Sequence, residues 1–238
     1  MILDPALALL QFETRLPLGK PVDFGGFAGH PWLYPLAGYV VGGIAAVIAY
    51  FIAPRSLAAA AALAVVLLVT GFHHLDGLLD FGDGLMAHGS REKRVAALTD
   101  RSIGAGGVGL GITVVLVSFG ALSSVPSVAV AILAAEVFAR LGTAWITVAG
   151  PPFREGIHSA LHHSARPEHG LYAVVFVLPL LLVLPPVPLI LAGGVTALSV
   201  AGTTKLAGRL FGGVNGDVAG ATHEIVRALV IASFALVL

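Results

Sequence analysis

The stretch Gly104-Ala105-Gly106-Gly107-Val108-Gly109-Leu110-Gly111-Ile112-Thr113-Val114-Val115-Leu116-Val117-Ser118-Phe119-Gly120-Ala121-Leu122-Ser123 contains no charged residue. A run of that length suits the roughly 20 residues a helix needs to cross a bilayer core of about 30 Å. Comparable runs recur near 34–53, 57–73, 127–149, 171–186, 188–204 and 218–238. They predict an all-α, polytopic integral membrane bundle of about seven transmembrane helices, built as a single domain over residues 1–238. The fifth and sixth runs share one uncharged stretch broken by Pro185-Pro186-Val187-Pro188. Consecutive prolines cannot continue a helix, so this reads as a tight hairpin, with a re-entrant pair as the alternative. No internal repeat is evident.

Composition agrees. Of 238 residues, 57% are hydrophobic and 11% charged, and mean hydropathy is +0.95. Soluble domains carry roughly 25% charged residues. The formal net charge of zero argues against nucleic acid as a partner. Without cysteine there is neither a disulfide nor a thiolate metal site. The N-terminus has no basic segment, so no cleaved signal peptide is expected. Residues 1–17 read as an interfacial helix lying on the bilayer.

Seven alternating spans put the N-terminus and the segments 74–103, 150–170 and 205–217 on one side. That side holds Arg15, Lys20, Arg91, Lys93, Arg94, Arg101, Arg154, Arg166, Lys205 and Arg209, against Arg55 on the other. The positive-inside rule makes the rich side cytoplasmic. The expected location is the cell membrane, multi-pass, with an active site fed from the cytoplasm.

The chemistry-bearing stretch is His73-His74-Leu75-Asp76-Gly77-Leu78-Leu79-Asp80-Phe81-Gly82-Asp83-Gly84. Asp76, Asp80 and Asp83 fall at i, i+4 and i+7, on one helical face. His73 shares that face and His74 lies opposite. Three carboxylates at a membrane boundary repel one another and lose hydration. A divalent cation relieves both problems. Oxygen-only ligands favour a hard ion, Mg²⁺ or Mn²⁺, with substrate phosphates completing its shell. Asp76, Asp80 and Asp83 are therefore the expected metal ligands.

Asp100 introduces a second cluster, running through the glycines at 104, 106 and 107, where backbone approaches a ligand or another helix closely. A third runs Gly212-Gly213-Val214-Asn215-Gly216-Asp217-Val218 to Glu224 and Arg227. There a glycine-rich turn feeds a helix whose first amides bind anions, and Asp217 and Glu224 share a face. Glu136 and Arg140, four apart within a span, read equally as a self-contained ion pair or a substrate contact. His158, His162, His163 and His169 read as solvated loop residues.

The chain resembles the cobalamin synthase (adenosylcobinamide-GDP ribazoletransferase) family along nearly its whole length. Gln11-Phe12-Glu13-Thr14-Arg15-Leu16-Pro17 resembles its Q-F-x-T-R-x-P signature, and Tyr34-Pro35-Leu36-Ala37-Gly38 its next element. His74 through Gly84 follows its H-x-D-G-x-x-D-x-x-D-G pattern. Arg94, Asp100–Gly107, Arg154-Glu155-Gly156 and Gly212–Glu224 resemble later elements. Glu13 departs from a usually apolar position, and Arg101-Ser102 is inverted. The resemblance implies attack of a hydroxyl of α-ribazole, or of its 5′-phosphate, on GDP-activated adenosylcobinamide, with release of GMP and dependence on Mg²⁺. It assigns catalysis to Asp76, Asp80, Asp83, Asp100, Asp217 and Glu224. Substrate or phosphate contacts fall to His74, Arg94, Arg154, Gly104, Gly107, Gly216 and Arg227. A homo-oligomer or association with other corrinoid-pathway proteins is also compatible.

Two rivals are weaker. The CDP-alcohol phosphotransferase pattern begins to match at Asp80–Ala87, but His88, Ala97, Arg101 and Ala105 replace its required Arg, Gly, Asp and Asp. An ion-coupled transporter would use Glu136, Arg140, Glu224 and Arg227 as a path, yet no repeated halves support it.

Overall fold

Where each apolar run stops is set by local chemistry. In a computed structural model, which describes residues 3–238, the chain is helical throughout and no β-strand occurs among the described residues. The helices are α1 Leu3–Glu13, α2 Gly25–Ala28, α3 Tyr34–Tyr50, α4 Arg55–Thr70, α5 His73–Met86 and α6 Arg91–Leu98. They continue with α7 Ala105–Ser124, α8 Val128–Ala149, α9 Ile157–Ser164, α10 Pro167–Val175, α11 Pro186–Leu210 and α12 Gly216–Val237. Short 3-10 turns occupy Pro31–Leu33 and Leu178–Leu182.

The Ser127 hydroxyl caps α8 by accepting from the Val130 amide at 3.3 Å. Asn215 caps α12 in the same way at Val218, at 3.1 Å. Pro186 and Pro188 fall in the first turn of α11, where a missing N–H costs nothing. The hairpin expected there is present, but its two arms differ from expectation. Pro179 withholds a backbone donor, so α10 ends at Val175 and the chain continues as a 3-10 turn. The other arm runs to Leu210, well past the expected 204.

Five helices are long and apolar enough to cross a bilayer: Pro31–Tyr50, α7, α8, α11 and α12. Two bent pairs raise the number to seven if each pair is one span, α4 with α5 at 93° and α9 with Pro167–Leu182 at 91°. The first bend lies just before the acidic motif, whose expected helical face is present as α5. Gly71 (φ 66°) and Phe72 (φ 64°) are both left-handed. For a bulky residue such as Phe72 that is a strained conformation. Two such residues in a row end α4 and turn α5 across its end.

α8 and α12 form the centre. α8 packs on α3 and α12, and α12 touches α5, α7, α8 and α11. The apolar window of α8 is 78% buried and that of α7 only 28%, so α7 is a lipid-facing flank. α1 does not simply lie on the bilayer as expected. It packs on α2 and α3 and buries Leu9 and Glu13. Of the four histidines expected to be solvated, His163 is exposed, His162 is partly buried, and His158 and His169 are corrected. α9 folds back on α8, burying His158, whose Nε2 lies 2.8 Å from the Gly150 carbonyl, and His169 is buried too.

α5 and α7 approach through glycines. A Cβ at Gly107 would lie 2.5 Å from the Leu79 carbonyl oxygen, whereas one at Gly109 meets nothing within 4 Å. Gly107→Ala should therefore destabilise by about 1–3 kcal/mol and lower the thermal aggregation midpoint in detergent. Gly109→Ala should leave that midpoint unchanged or slightly raised. Equal midpoints for the two variants would contradict this packing.

Candidate active site

α5 is a thin amphipathic element wedged between the N-termini of two other helices. A Cβ at Gly77 would sit 2.8 Å from the Asp217 carbonyl oxygen, and one at Gly82 would sit 2.9 Å from the Gly106 carbonyl oxygen. Only glycine lets the first turns of α12 and α7 come this close. The glycines interspersed in the acidic motif are thus what allows carboxylates from separate helices to share one space.

The first turn of α7 presents free amides, as every helix N-terminus does. They are taken by an anion from within the chain. Gly104 donates to one oxygen of Asp83 at 2.7 Å and Gly107 to the other at 2.8 Å. Asp83 therefore locks α7 onto α5, and the Gly104 and Gly107 amides are engaged by it. Arg94 has a comparable duty at the same, C-terminal end of α5. Its guanidinium donates to the Leu85 carbonyl at 2.9 Å, capping the helix C-terminus.

Asp76 is exposed and Asp80 half-buried. Asp80 lies within electrostatic range of Asp76, Asp83 and Asp217, with Arg154 as the nearby cation. Among the described residues no side chain pairs with Asp76 or Asp80. Asp217 accepts from the Asn215 amide at 2.6 Å and lies 3.7 Å from Arg154. Tertiary pairing brings Arg154 there. Val214 donates to the Pro151 carbonyl at 2.8 Å, and Phe153 donates to the Val214 carbonyl at 3.3 Å. This short bridge ties the segment before Arg154 to the glycine-rich turn before α12. Arg154, Glu155, His158, Asn215, Gly216 and Asp217 then line an open cavity of about 290 Å³. Asp100 is exposed in the α6–α7 connection, its carboxylate accepting from the Ser102 amide at 3.0 Å.

Glu224 and Arg227 stand apart from this acid face. Both are buried and ion-paired to each other, and Arg227 also donates to Glu136 at 3.4 Å. Arg140 pairs with Glu136 and lies 3.3 Å from Glu13. Glu136 and Arg140 are thus neither a self-contained pair nor an exposed substrate contact but links in an interior network. His223, absent from the sequence reading, stacks on His74 at 3.9 Å and lies 3.9 Å from Glu136. Its position seven residues after Gly216, on the face of α12 shared with Gly220, was the available signal. Burial alone would raise the Glu13 carboxyl. The His74 ring and the Arg140 guanidinium outweigh it and hold that carboxyl down at about 2.

The acid face comprises Asp76, Asp80 and Asp217 on two helices, with Arg154 as a nearby cation. Its donors are all oxygen, and two of its carboxylates are unpaired among the described residues. That set fits a hard divalent cation together with phosphate oxygens. The interior network is instead a mixed nitrogen and oxygen set, buried within the bundle.

Comparison with known proteins adds lineage to this geometry. A family model described as cobalamin-5-phosphate synthase (CobS) matches residues 5–235. A relative from Halorubrum lacusprofundi, named adenosylcobinamide-GDP ribazoletransferase, is 36% identical over 95% of this chain and 95% of its own. Proteins of the same name from Methanococcoides burtonii and Pyrococcus abyssi are 32% and 34% identical. They cover 92% and 96% of this chain, and 87% and 97% of their own. No solved structure matches. With the match running from α1 to the last turn of α12, the chain belongs to the cobalamin-5-phosphate synthase family.

Proposed function

We propose that this membrane protein is an adenosylcobinamide-GDP ribazoletransferase. It joins GDP-activated adenosylcobinamide to α-ribazole, or to α-ribazole 5′-phosphate, and releases GMP. The observation that carries this reading is that Asp80 of α5 lies within electrostatic range of Asp76, Asp217 and Arg154, the last two of which line a cavity of about 290 Å³. Breaking a diphosphate with an alcohol asks little covalent chemistry of a protein. It asks for charge neutralisation and for an in-line approach of nucleophile and leaving group.

Asp76 and Asp80, which have no partner of their own among the described residues, would hold Mg²⁺. A bound magnesium ion supplies Lewis-acid neutralisation of the diphosphate oxygens. Arg154, on the cavity rim and 46% exposed at its side chain, clamps a phosphate from the opposite direction. Asp217 is the candidate acceptor for the ribazole hydroxyl proton, because Asn215 and Arg154 hold its carboxylate in place at the cavity. Asp83 and Arg94 act by positioning. They fix the C-terminal turn of α5 against α7 and α6, so that Asp76 and Asp80 stay aligned. Asp100 closes the α6–α7 turn beside them, and the Glu224–Arg227 pair supports α12 from within. Small-molecule substrates and lipid are the partners this reading requires.

The same reading places the protein in the cell membrane, with its N-terminus and acid face toward the cytoplasm. The basic residues support it: Arg91, Lys93, Arg94 and Arg101 lie between the end of α5 and the start of α7, Lys205 and Arg209 lie near the end of α11 just before α12, and Arg154 lies beside Asp217 in the first turn of α12.

Asp80→Asn should cut GMP release by at least about 100-fold while the protein still inserts and elutes as the wild type does. Full activity in that variant would remove the acid face from the chemistry. Arg154→Ala should chiefly raise KM for the GDP-activated substrate. Because the chain has no cysteine, topology can be read with single replacements. In intact cells a membrane-impermeant maleimide should label Ser56→Cys directly and Ser90→Cys only after permeabilisation. The reverse pattern would overturn the orientation.

A further inference from the structure

Beneath the acid face, where α1 meets the α4–α5 elbow, a second donor set has a different chemistry. Glu13, His73 and His74 each present one ligand atom, and the three atoms lie within 4.8 Å of one another. His73 Nε2 is 3.1 Å from His74 Nε2, and His74 Nε2 is 3.6 Å from Glu13 Oε2. Two donors bonded at 2.0–2.1 Å to one tetrahedral zinc ion lie about 3.3 Å apart. These two separations bracket that value, and the third, between His73 and Glu13, stays within 4.8 Å.

The imidazoles are also prepared for a metal. His73 Nδ1 faces the Thr70 carbonyl at 2.5 Å. A carbonyl can only accept, so the ring hydrogen sits on Nδ1 and the Nε2 lone pair points at the second ring. An imidazole oriented by a backbone carbonyl in this way is the usual support of a metal-bound histidine. Glu13 Oε2 is buried and makes no hydrogen bond, although Arg140 Nε is 3.3 Å away. The surrounding network holds three carboxylates, Glu13, Glu136 and Glu224, against two guanidinium groups, Arg140 and Arg227. With the imidazoles neutral, the carboxylates outnumber the guanidinium groups by one in the interior. A cavity of about 70 Å³ lined by Glu13, Tyr34, His73, His74 and His158 leaves room for a fourth ligand from water. The neighbouring set of His74, His223 and Glu224 is the poorer site, because Arg227 already pairs with Glu224.

We propose that Glu13, His73 and His74 form a site for a first-row divalent transition metal of the Zn²⁺ class. It is separate from the acid face and pins α1 to the strained elbow at Gly71-Phe72. Two imidazoles and a carboxylate select Zn²⁺ or Co²⁺ over Mg²⁺, which takes oxygen ligands. The proposal is independent of the reaction assigned to the acid face.

The test uses full-length protein in detergent, stripped with a chelator and titrated with Zn²⁺ against a competing fluorescent chelator in excess Mg²⁺. One equivalent should bind. Glu13→Gln and His73→Ala should each weaken binding by at least about tenfold, while Asp80→Asn should bind zinc as the wild type does. Co²⁺ should give the visible absorption of a tetrahedral nitrogen and oxygen site, lost in the same two variants. Glu13→Gln keeps the side-chain volume, so it decides the matter if His73→Ala fails to fold. No zinc uptake, equal uptake in wild type and Glu13→Gln, or uptake lost only in Asp80→Asn would each overturn the proposal.

Discussion

Everything at the candidate active site depends on how closely α5 sits between the first turns of α7 and α12. A helix carrying several carboxylates is a poor partner for a membrane bundle, because burying it desolvates charge. Two features make the contact possible here. Gly77, Gly82 and Gly107 remove the side chains that would hold the helices apart, and the α7 amides absorb the charge of Asp83. What remains is a seam where Asp76, Asp80 and Asp217 stand near one another at the edge of the hydrophobic layer. Small residues and polar bonds hold the helices together, as expected where lipid tails compete for every apolar contact.

The interior network answers a different problem. Glu136, Arg140, Glu224 and Arg227 lie at the heart of the bundle, buried on all sides. Such ions are tolerated only when paired and hydrogen-bonded, and removing one partner typically costs several kcal/mol. The network links α8 to α12, and through Glu13 and His74 it reaches α1 and α5. It therefore joins the two central helices to the elbow that carries the acid face. His74 belongs to both neighbourhoods in sequence but to the interior one in space, since it stacks on His223.

Much of this was readable in residue order. Charge-free runs located the membrane helices, because length and hydropathy are one-dimensional properties. The spacing of Asp76, Asp80 and Asp83 put them on one face of a helix before any coordinates, because 3.6 residues per turn is a local constraint. The proline cluster at 185–188 marked a hairpin for the same reason. Less readable were the two sharp bends. The first rests on a left-handed Phe72 that no propensity would suggest, and the second falls between two short helices. α11 also extends beyond its most apolar portion, since Lys205 and Arg209 stay exposed while Thr203 and Ala207 bury its inner face.

Sequence by itself determined that this chain crosses a membrane on helices, that its acids line one face of α5, and which family it resembles. Those are matters of composition and short-range period. Only the tertiary structure decided which carboxylates meet. It gave Asp83 to the α7 amides, brought Asp217 and Arg154 to Asp80 from distant segments, and withdrew Glu224 and Arg227 into a closed ion network. It also set Glu13 against two histidines sixty residues away. The physical reason is that charge in a low-dielectric interior must find partners in three dimensions, and sequence separation does not restrict which partners those are.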